Sequence, residues 1–169
     1  DPVTPKLFNQ PGVFMVATDG IRIAIFHDAT GHADAPVVVQ PDKDLVKRAM
    51  PARNRADETN RLIYRDGMAT IQKIVNTGET LPAMAVNLAI VDSTYPDWLR
   101  VVPDQRFTKI DCTRFCLNAN SLADFGDVAL RLTGGAYVSF GAEDSISPAS
   151  IRIHGLPEFM GVLMPCRDL

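Results

Sequence analysis

The residues of this chain that could carry catalysis or bind a metal are three histidines, three cysteines and scattered carboxylates, and their spacing assembles no centre. His27, His32 and His154 are dispersed, and no His-Glu-x-x-His run occurs. Cys112 and Cys116 stand four residues apart rather than as a Cys-x-x-Cys pair, and Cys166 is remote from both. These thiols are expected to be buried or edge residues, and neither a metal nor a cofactor is expected. Asp42 with Asp44, and Glu143 with Asp144, suit helix caps and loops better than a general acid–base pair. His154, in a strand-like stretch, reads as a packed or rim side chain. No Gly-rich phosphate loop is present, and no nucleophile has a base and an orienting partner. An enzyme built on one histidine would need such a set, so no catalytic residue is proposed. The chain reads as a binding protein.

One group of charges does have a pattern. Lys43, Lys47 and Arg48 recur at helical spacing, and Arg53 and Arg55 follow in the next loop. Placed at 100° per residue, Lys43, Asp44, Lys47 and Arg48 fall opposite Leu45, Val46, Ala49 and Met50. Such a face can be simply solvated, or it can meet phosphates.

The elements that must position these residues are short. The chain has 169 residues, 46% of them hydrophobic and 22% charged, enough for a packed core and too apolar for wholesale disorder. Its net charge of −3 excludes a uniformly basic nucleic-acid coat, so any DNA contact must come from a local face. Twelve prolines and 11 glycines divide it into short segments and favour strands over long helices. An odd number of cysteines fits a reducing interior. The first residues lack an apolar signal-peptide region, and no apolar run approaches the ~20 residues of a membrane span, so a cytoplasmic protein is expected.

Period-two alternation dominates. Val13 to Ala17 and Ile21 to Phe26 flank a Thr18-Asp19-Gly20 turn, and Lys6-Leu7-Phe8 reads as a preceding strand, giving a small N-terminal sheet within residues 1–34. Residues 35–103 then read as β-α-β-β-β. These are a strand at 36–40, a helix from Asp42 to Met50, a hairpin of Arg61 to Tyr64 and Met68 to Val75 about Asp66-Gly67, and a third strand from Ala85 to Val91. Tyr95 to Pro103 closes this unit. Residues 104–169 repeat the order: a strand near Lys109 to Cys112, then a helix opened by Ser121 with Asp124 at the capping-box offset and ended by Gly134-Gly135. Strands at 137–140, 150–154 and 159–164 follow. The expected class is α+β, with two βαβββ units plus the N-terminal extension.

Three stretches resemble one family. Val16-Ala17-Thr18-Asp19-Gly20-Ile21-Arg22-Ile23-Ala24 is similar to the V-A-T-D-G-H-R-L-A segment of the bacterial β sliding clamp, the processivity subunit of DNA polymerase III. Tyr95-Pro96-Asp97-Trp98-Leu99-Arg100-Val101-Val102-Pro103 resembles its F-P-D-Y-R-R-V-L-P segment, and Gly161-Val162-Leu163-Met164-Pro165-Cys166-Arg167 its Y-V-V-M-P-M-R ending. They occur in the family's order, and the match corresponds to parts of the second and third domains of a three-domain subunit.

The resemblance implies the DNA-clamp fold, with antiparallel sheets outside and two helices on one face of a ring that encloses duplex DNA. Lys43, Lys47, Arg48, Arg53 and Arg55 would then face DNA, touching phosphates without reading sequence. The second helix, with Asp124 and Asp127 beside Arg131, makes a poorer DNA face. In the family the three stretches converge on a groove that captures peptides of the Gln-x-x-Leu-Phe kind from polymerases, the clamp loader and repair proteins. Carried over, Thr18, Gly20, Arg22 and Ile23 would form one wall and Pro96, Arg100 and Val101 another. Val162, Leu163, Met164, Pro165, Cys166 and Arg167 would form the last. Burying a Leu-Phe pair there would contribute roughly 3–6 kcal/mol before ordering costs. Ile21, Leu99 and Cys166 replace a His, an Arg and a Met of the family pattern, which bears on peptide preference. The expected function is a short, oligomeric clamp-like processivity factor. The alternative is a peptide-binding adaptor, or competitor for clamp partners, that forms no ring.

Overall fold

The computed structural model describes residues 8, 10–49, 58–65, 68–75, 84–87, 89–103 and 115–166. They form two compact units, one within Asp1–Asp34 and Pro96–Leu169 and the other within Ala35–Tyr95.

The larger unit is built on an antiparallel five-stranded sheet of order β1-β2-β10-β9-β8. β1 (Val13–Thr18) and β2 (Arg22–Asp28) form the expected hairpin, in register from Val13↔Asp28 to Thr18↔Ile23. Its turn is made by side chains as much as by backbone. Asp19 Oδ1 accepts from the N–H groups of Ile21 and Arg22 at 3.1 and 3.0 Å, and Gly20 takes φ +86°, which a Cβ would penalise.

This hairpin does not stand apart as a small sheet of its own. β2 pairs with β10 (Leu156–Leu163), placing Ile25 opposite Met160 and Ile23 opposite Val162. β9 (Ala149–Ile153) and β8 (Val138–Gly141) complete the sheet. The expected first strand at Lys6-Leu7-Phe8 is also corrected. Phe8 sits in a 3-10 conformation, its ring edge-on to Phe14 and Trp98, while Lys6 and Leu7 lie outside the described residues.

Both faces of the sheet are covered. On one, Ile23, Ile25, Met160 and Val162 form a buried cluster against Phe8, Phe14, Val16, Trp98 and Val102. On the other, Ile151, Ile153, Phe159 and Leu163 pack against Phe125 and Ala129 of α2 (Ala119–Thr133). β10, interior to the sheet and covered on both sides, is buried without interruption from Phe159 to Leu163. Gly161 has a steric reason to be glycine: a Cβ there would lie 2.6 Å from Phe125 Cε1.

The start of α2 corrects the sequence reading. Asn118, not Ser121, is the N-cap, its side chain accepting from the N–H groups of Asn120 and Ser121 at 2.9 and 3.2 Å. Gly134, at φ +77°, ends the helix as expected. The segment Pro96–Pro103, expected to close the first βαβββ unit, belongs instead to this unit. Its 3-10 turn at Trp98–Val101 lets Trp98 and Val102 cap the sheet.

The smaller unit contains a three-stranded antiparallel sheet, β4 (Glu58–Arg65), β5 (Met68–Val75) and β6 (Met84–Asn87), and a two-stranded ribbon of β3 (Val39–Gln40) with β7 (Ala89–Ile90). The hairpin register closes at Arg65↔Met68, as the Asp66-Gly67 signal predicts. The expected single strand from Ala85 to Val91 is two: β6 pairs with β5, and β7 pairs with β3. Helix α1 (Lys43–Ala49) is capped by Asp42, whose Oδ1 accepts from the Leu45 N–H at 2.6 Å. Leu45 packs with Ile71, Val39 and Tyr64, whereas Val46, expected on the same apolar side, is exposed. The strand expected near Lys109 to Cys112 lies outside the described residues. Among the described residues no helix is long and apolar enough to cross a membrane.

Candidate functional site

Segments far apart in the chain meet at one end of the larger unit. β2 and β10 are paired up to Leu163↔Arg22, and the backbone then continues the contact, with the Met164 N–H donating to the Ile21 carbonyl at 3.0 Å. Trp98, two residues after Pro96, packs onto the cluster that contains Ile23 and Val162. The β1–β2 turn, the Pro96–Pro103 segment and the chain beyond β10 are thereby brought to one region of the same sheet face.

The candidate residues divide by strand parity, because successive side chains of a strand point to opposite faces. Ile23 and Val162, 8% and 1% exposed, lie on the face covered by Trp98. Leu163 lies in the helix-side cluster with Phe125 and Ile151, so it cannot line the same surface as Val162. Arg22, its partner across the ladder, also turns to the helix side. It donates to Asp124 Oδ2 of α2 and, through Nε at 2.8 Å, to Asp19 Oδ2. Leu163 and Arg22, expected among the groove residues, therefore lie on the helix side of the sheet, opposite Ile23 and Val162, a distinction that the sequence motif conceals.

At the exposed end, Met164 is 39% exposed and Ile21 57%. Thr18 and Gly20 are exposed, and the Thr18 hydroxyl donates to the Arg22 carbonyl at 2.9 Å while accepting from the Gly20 N–H. Pro96 and Val101 are exposed; Arg100 is exposed and ion-paired to Asp97 at 2.8 Å. Pro165 and Cys166 are half-buried, and Arg167 lies outside the described residues. The result is an apolar floor with Met, Ile and Val at its surface and ion-paired arginines nearby.

The electrostatics hold the turn rather than poise a proton. The hydrogen bond that Arg22 donates to Asp124 raises the Arg22 pKa further, and the bond it donates to Asp19 adds to it. For Asp19, desolvation pushes the pKa up, but the hydrogen bonds from Arg22 and Ile21 and the nearby guanidinium outweigh it and leave the group below its usual value.

Among the expected DNA-facing residues, Lys43 and Lys47 are exposed on α1, Arg48 lies in the same helix, and Arg53 and Arg55 lie outside the described residues. Among the described residues no group of His, Cys, Asp and Glu is arranged to hold a metal ion. His27 is buried, stacked on Phe14 with centroids 4.5 Å apart, its Nε2 2.9 Å from the Pro11 carbonyl oxygen. His32 contacts Asp34 in solvent. His154 is exposed in the β9–β10 turn rather than on a strand. Sequence reasoning missed Trp98 and Asp124 as site supports. Trp98 lies inside the second resembling stretch, whereas Asp124 is one of several polar residues on its helix and carried no such signal.

No protein-family model matches the chain, and no curated protein matches it. Solved structures do: the architecture is that of the DNA sliding clamps. A DnaN sliding clamp (DNA polymerase III subunit beta) from Bartonella birtlesii, solved bound to griselimycin, aligns at a TM-score of 0.55 and 17% identity over 92% of this chain and 54% of that one. A sliding clamp from Pseudomonas aeruginosa aligns at a TM-score of 0.48 and 18% identity over 90% of this chain and 55% of that one. The first similarity establishes the α+β clamp fold. The chain spans about half the length of these clamps.

Proposed function

We propose that this protein is a non-catalytic, clamp-like accessory factor of DNA replication that captures partner peptides on the apolar face of its larger unit. The observation that carries the reading is the meeting of the Ile21–Ile23 turn, the Trp98 segment and the Val162–Met164 strand end on one sheet face. A Leu-Phe pair packed on the exposed Ile21 and Met164, beside the buried Ile23 and Val162, would extend an existing core rather than create one, which limits the ordering lost on binding. The proposed partners are peptides of polymerase and clamp-loader type. Griselimycin, bound by the Bartonella clamp, is a ready second probe.

The proposal extends to duplex DNA, which Lys43, Lys47, Arg48, Arg53 and Arg55 would contact at phosphates as copies of the chain assemble into a ring in the cytoplasm. Light scattering with gel filtration, and retention on closed circular but not linear DNA, test the ring. A monomer that never becomes linked to a circle removes it. Titration of a fluorescent Gln-x-x-Leu-Phe peptide tests the groove. Met164→Glu is expected to weaken binding by about tenfold or more, because it places a charge against the apolar anchor.

The same meeting of segments serves one alternative, an adaptor that keeps the peptide face and forms no ring. It predicts the same effect of Met164→Glu without salt-dependent DNA affinity.

A further inference from the structure

Two cysteines meet where the proposed groove ends. Cys116 lies in the segment leading into α2, and Cys166 follows β10 after Met164 and Pro165. The N–H of Cys166 donates to the Cys116 carbonyl at 2.8 Å. Such a bond between two residues holds their Cα atoms roughly 5–6 Å apart, inside the ~4.4–6.8 Å that a disulfide spans. The residues flanking Cys116 are engaged. Phe115 stacks on Phe140 at 6.2 Å, and Leu117 packs into the helix-side cluster. Cys116 itself is exposed and Cys166 half-buried, and the two are not disulfide-linked. Among the described residues no metal-ligand group includes either.

We propose that Cys116 and Cys166 form a dithiol–disulfide site, oxidised by low-molecular-weight disulfides of the glutathione class, that controls the peptide face. The step balances. The Cys116 thiolate attacks one sulfur of the external disulfide and releases one thiolate. The Cys166 thiolate then attacks the Cys116 sulfur of the mixed disulfide and expels the second. The two protons lost by the protein thiols pass through water to the two leaving thiolates. Two protein thiols are oxidised, and one small disulfide is reduced to two thiols.

The consequence follows from position. Met164 is held on one side by its bond to the Ile21 carbonyl, and a closed disulfide two residues later would hold the other side. Met164 is the exposed apolar side chain between these two ties, and a peptide that packs on it needs its segment to adjust. A segment tied at both ends resists that adjustment, so oxidation weakens peptide binding. This control rests on the peptide-capture reading; the disulfide site itself does not.

The test uses the full chain carrying Cys112→Ser, equilibrated with mixtures of reduced and oxidised glutathione. The expected result is a cross-linked fragment joining residues 116 and 166 with loss of two hydrogens, abolished by Cys166→Ser. Oxidation should raise the melting temperature on the order of 5–10 °C. Affinity for the Gln-x-x-Leu-Phe peptide should fall about tenfold and return with dithiothreitol. Glutathione adducts on both cysteines with no cross-link overturn the site. A cross-link that leaves peptide affinity unchanged overturns the control. A cross-link in a protein whose reduced form binds no peptide overturns peptide capture, and the control with it, and leaves the disulfide site standing.

Discussion

Among the described residues, the two units draw on similar element types and reach different depths of burial. In the larger, β10 is flanked by β2 and β9 and covered on both faces, so its side chains supply two clusters at once. In the smaller, the described cluster is Leu45 and Ile71 with Val39 and Tyr64, and the Tyr64 hydroxyl is buried without a hydrogen-bond partner among the described residues. The helices differ in the same sense, 15 residues for α2 against 7 for α1, and a helix as short as α1 depends on its cap and on Leu45. Element order alone therefore does not set robustness; the number of partners around the central strand and the length of the covering helix do. The division suits the proposed roles. Peptide capture needs a rigid apolar floor, whereas phosphate contacts need only solvated cations such as Lys43 and Lys47.

The sharpest way to break this comparison is to cut each core. Leu163→Ala should cost about 3–5 kcal/mol in urea unfolding, with the loss of amide protection confined to the larger unit. Leu45→Ala should cost nearer ~2 kcal/mol and expose the smaller unit alone. Equal costs would refute the difference in depth.

A glycine pair sharpens it further. Gly161→Ala drives a methyl into the Phe125 ring and should destabilise by about 1–3 kcal/mol. Gly126→Ala, in α2 with nothing within 4 Å of the new Cβ, should stabilise by about 0.5–1 kcal/mol. Thermal unfolding of the two variants reads both signs. Asn118→Ala should remove about 1 kcal/mol by uncapping α2, whereas Ser121→Ala, at the position expected to open the helix, should change little.

The smallest effect is one of pH. The N–H groups of Ile146 and Ser147, helped by the Ser147 hydroxyl, hold the Asp144 pKa below the usual 3.8. A lowered folded-state pKa contributes stability above the unfolded value and loses it as pH falls through the folded one. The protection of the Ile146 and Ser147 amides, their exchange relative to the intrinsic rate at each pH, should therefore hold from neutral pH downward and fall only once the pH drops below 3.8. Asp144→Asn should remove that fall in protection.

Much of the local structure was legible. The alternation through Ile23 and Ile25, the turn at Asp19-Gly20, the Asp42 cap and the Gly134 stop are each encoded by neighbours a few residues away. Of the candidate site, the three stretches were legible as motifs, but the division of Arg22 and Leu163 from Ile23 and Val162 was not. A motif names residues in order, and only the registration of β10 against β2 shows which of them point toward α2.

By itself the amino-acid sequence determined where most of the described strands and helices lie, because periodicity, caps and turn residues act within a few positions. The tertiary structure alone decided that the first hairpin joins β10 and that the third strand of the smaller unit splits between two partners. Those outcomes are chosen by which apolar faces can be buried together, and burial joins residues as distant in the chain as Ile25 and Met160.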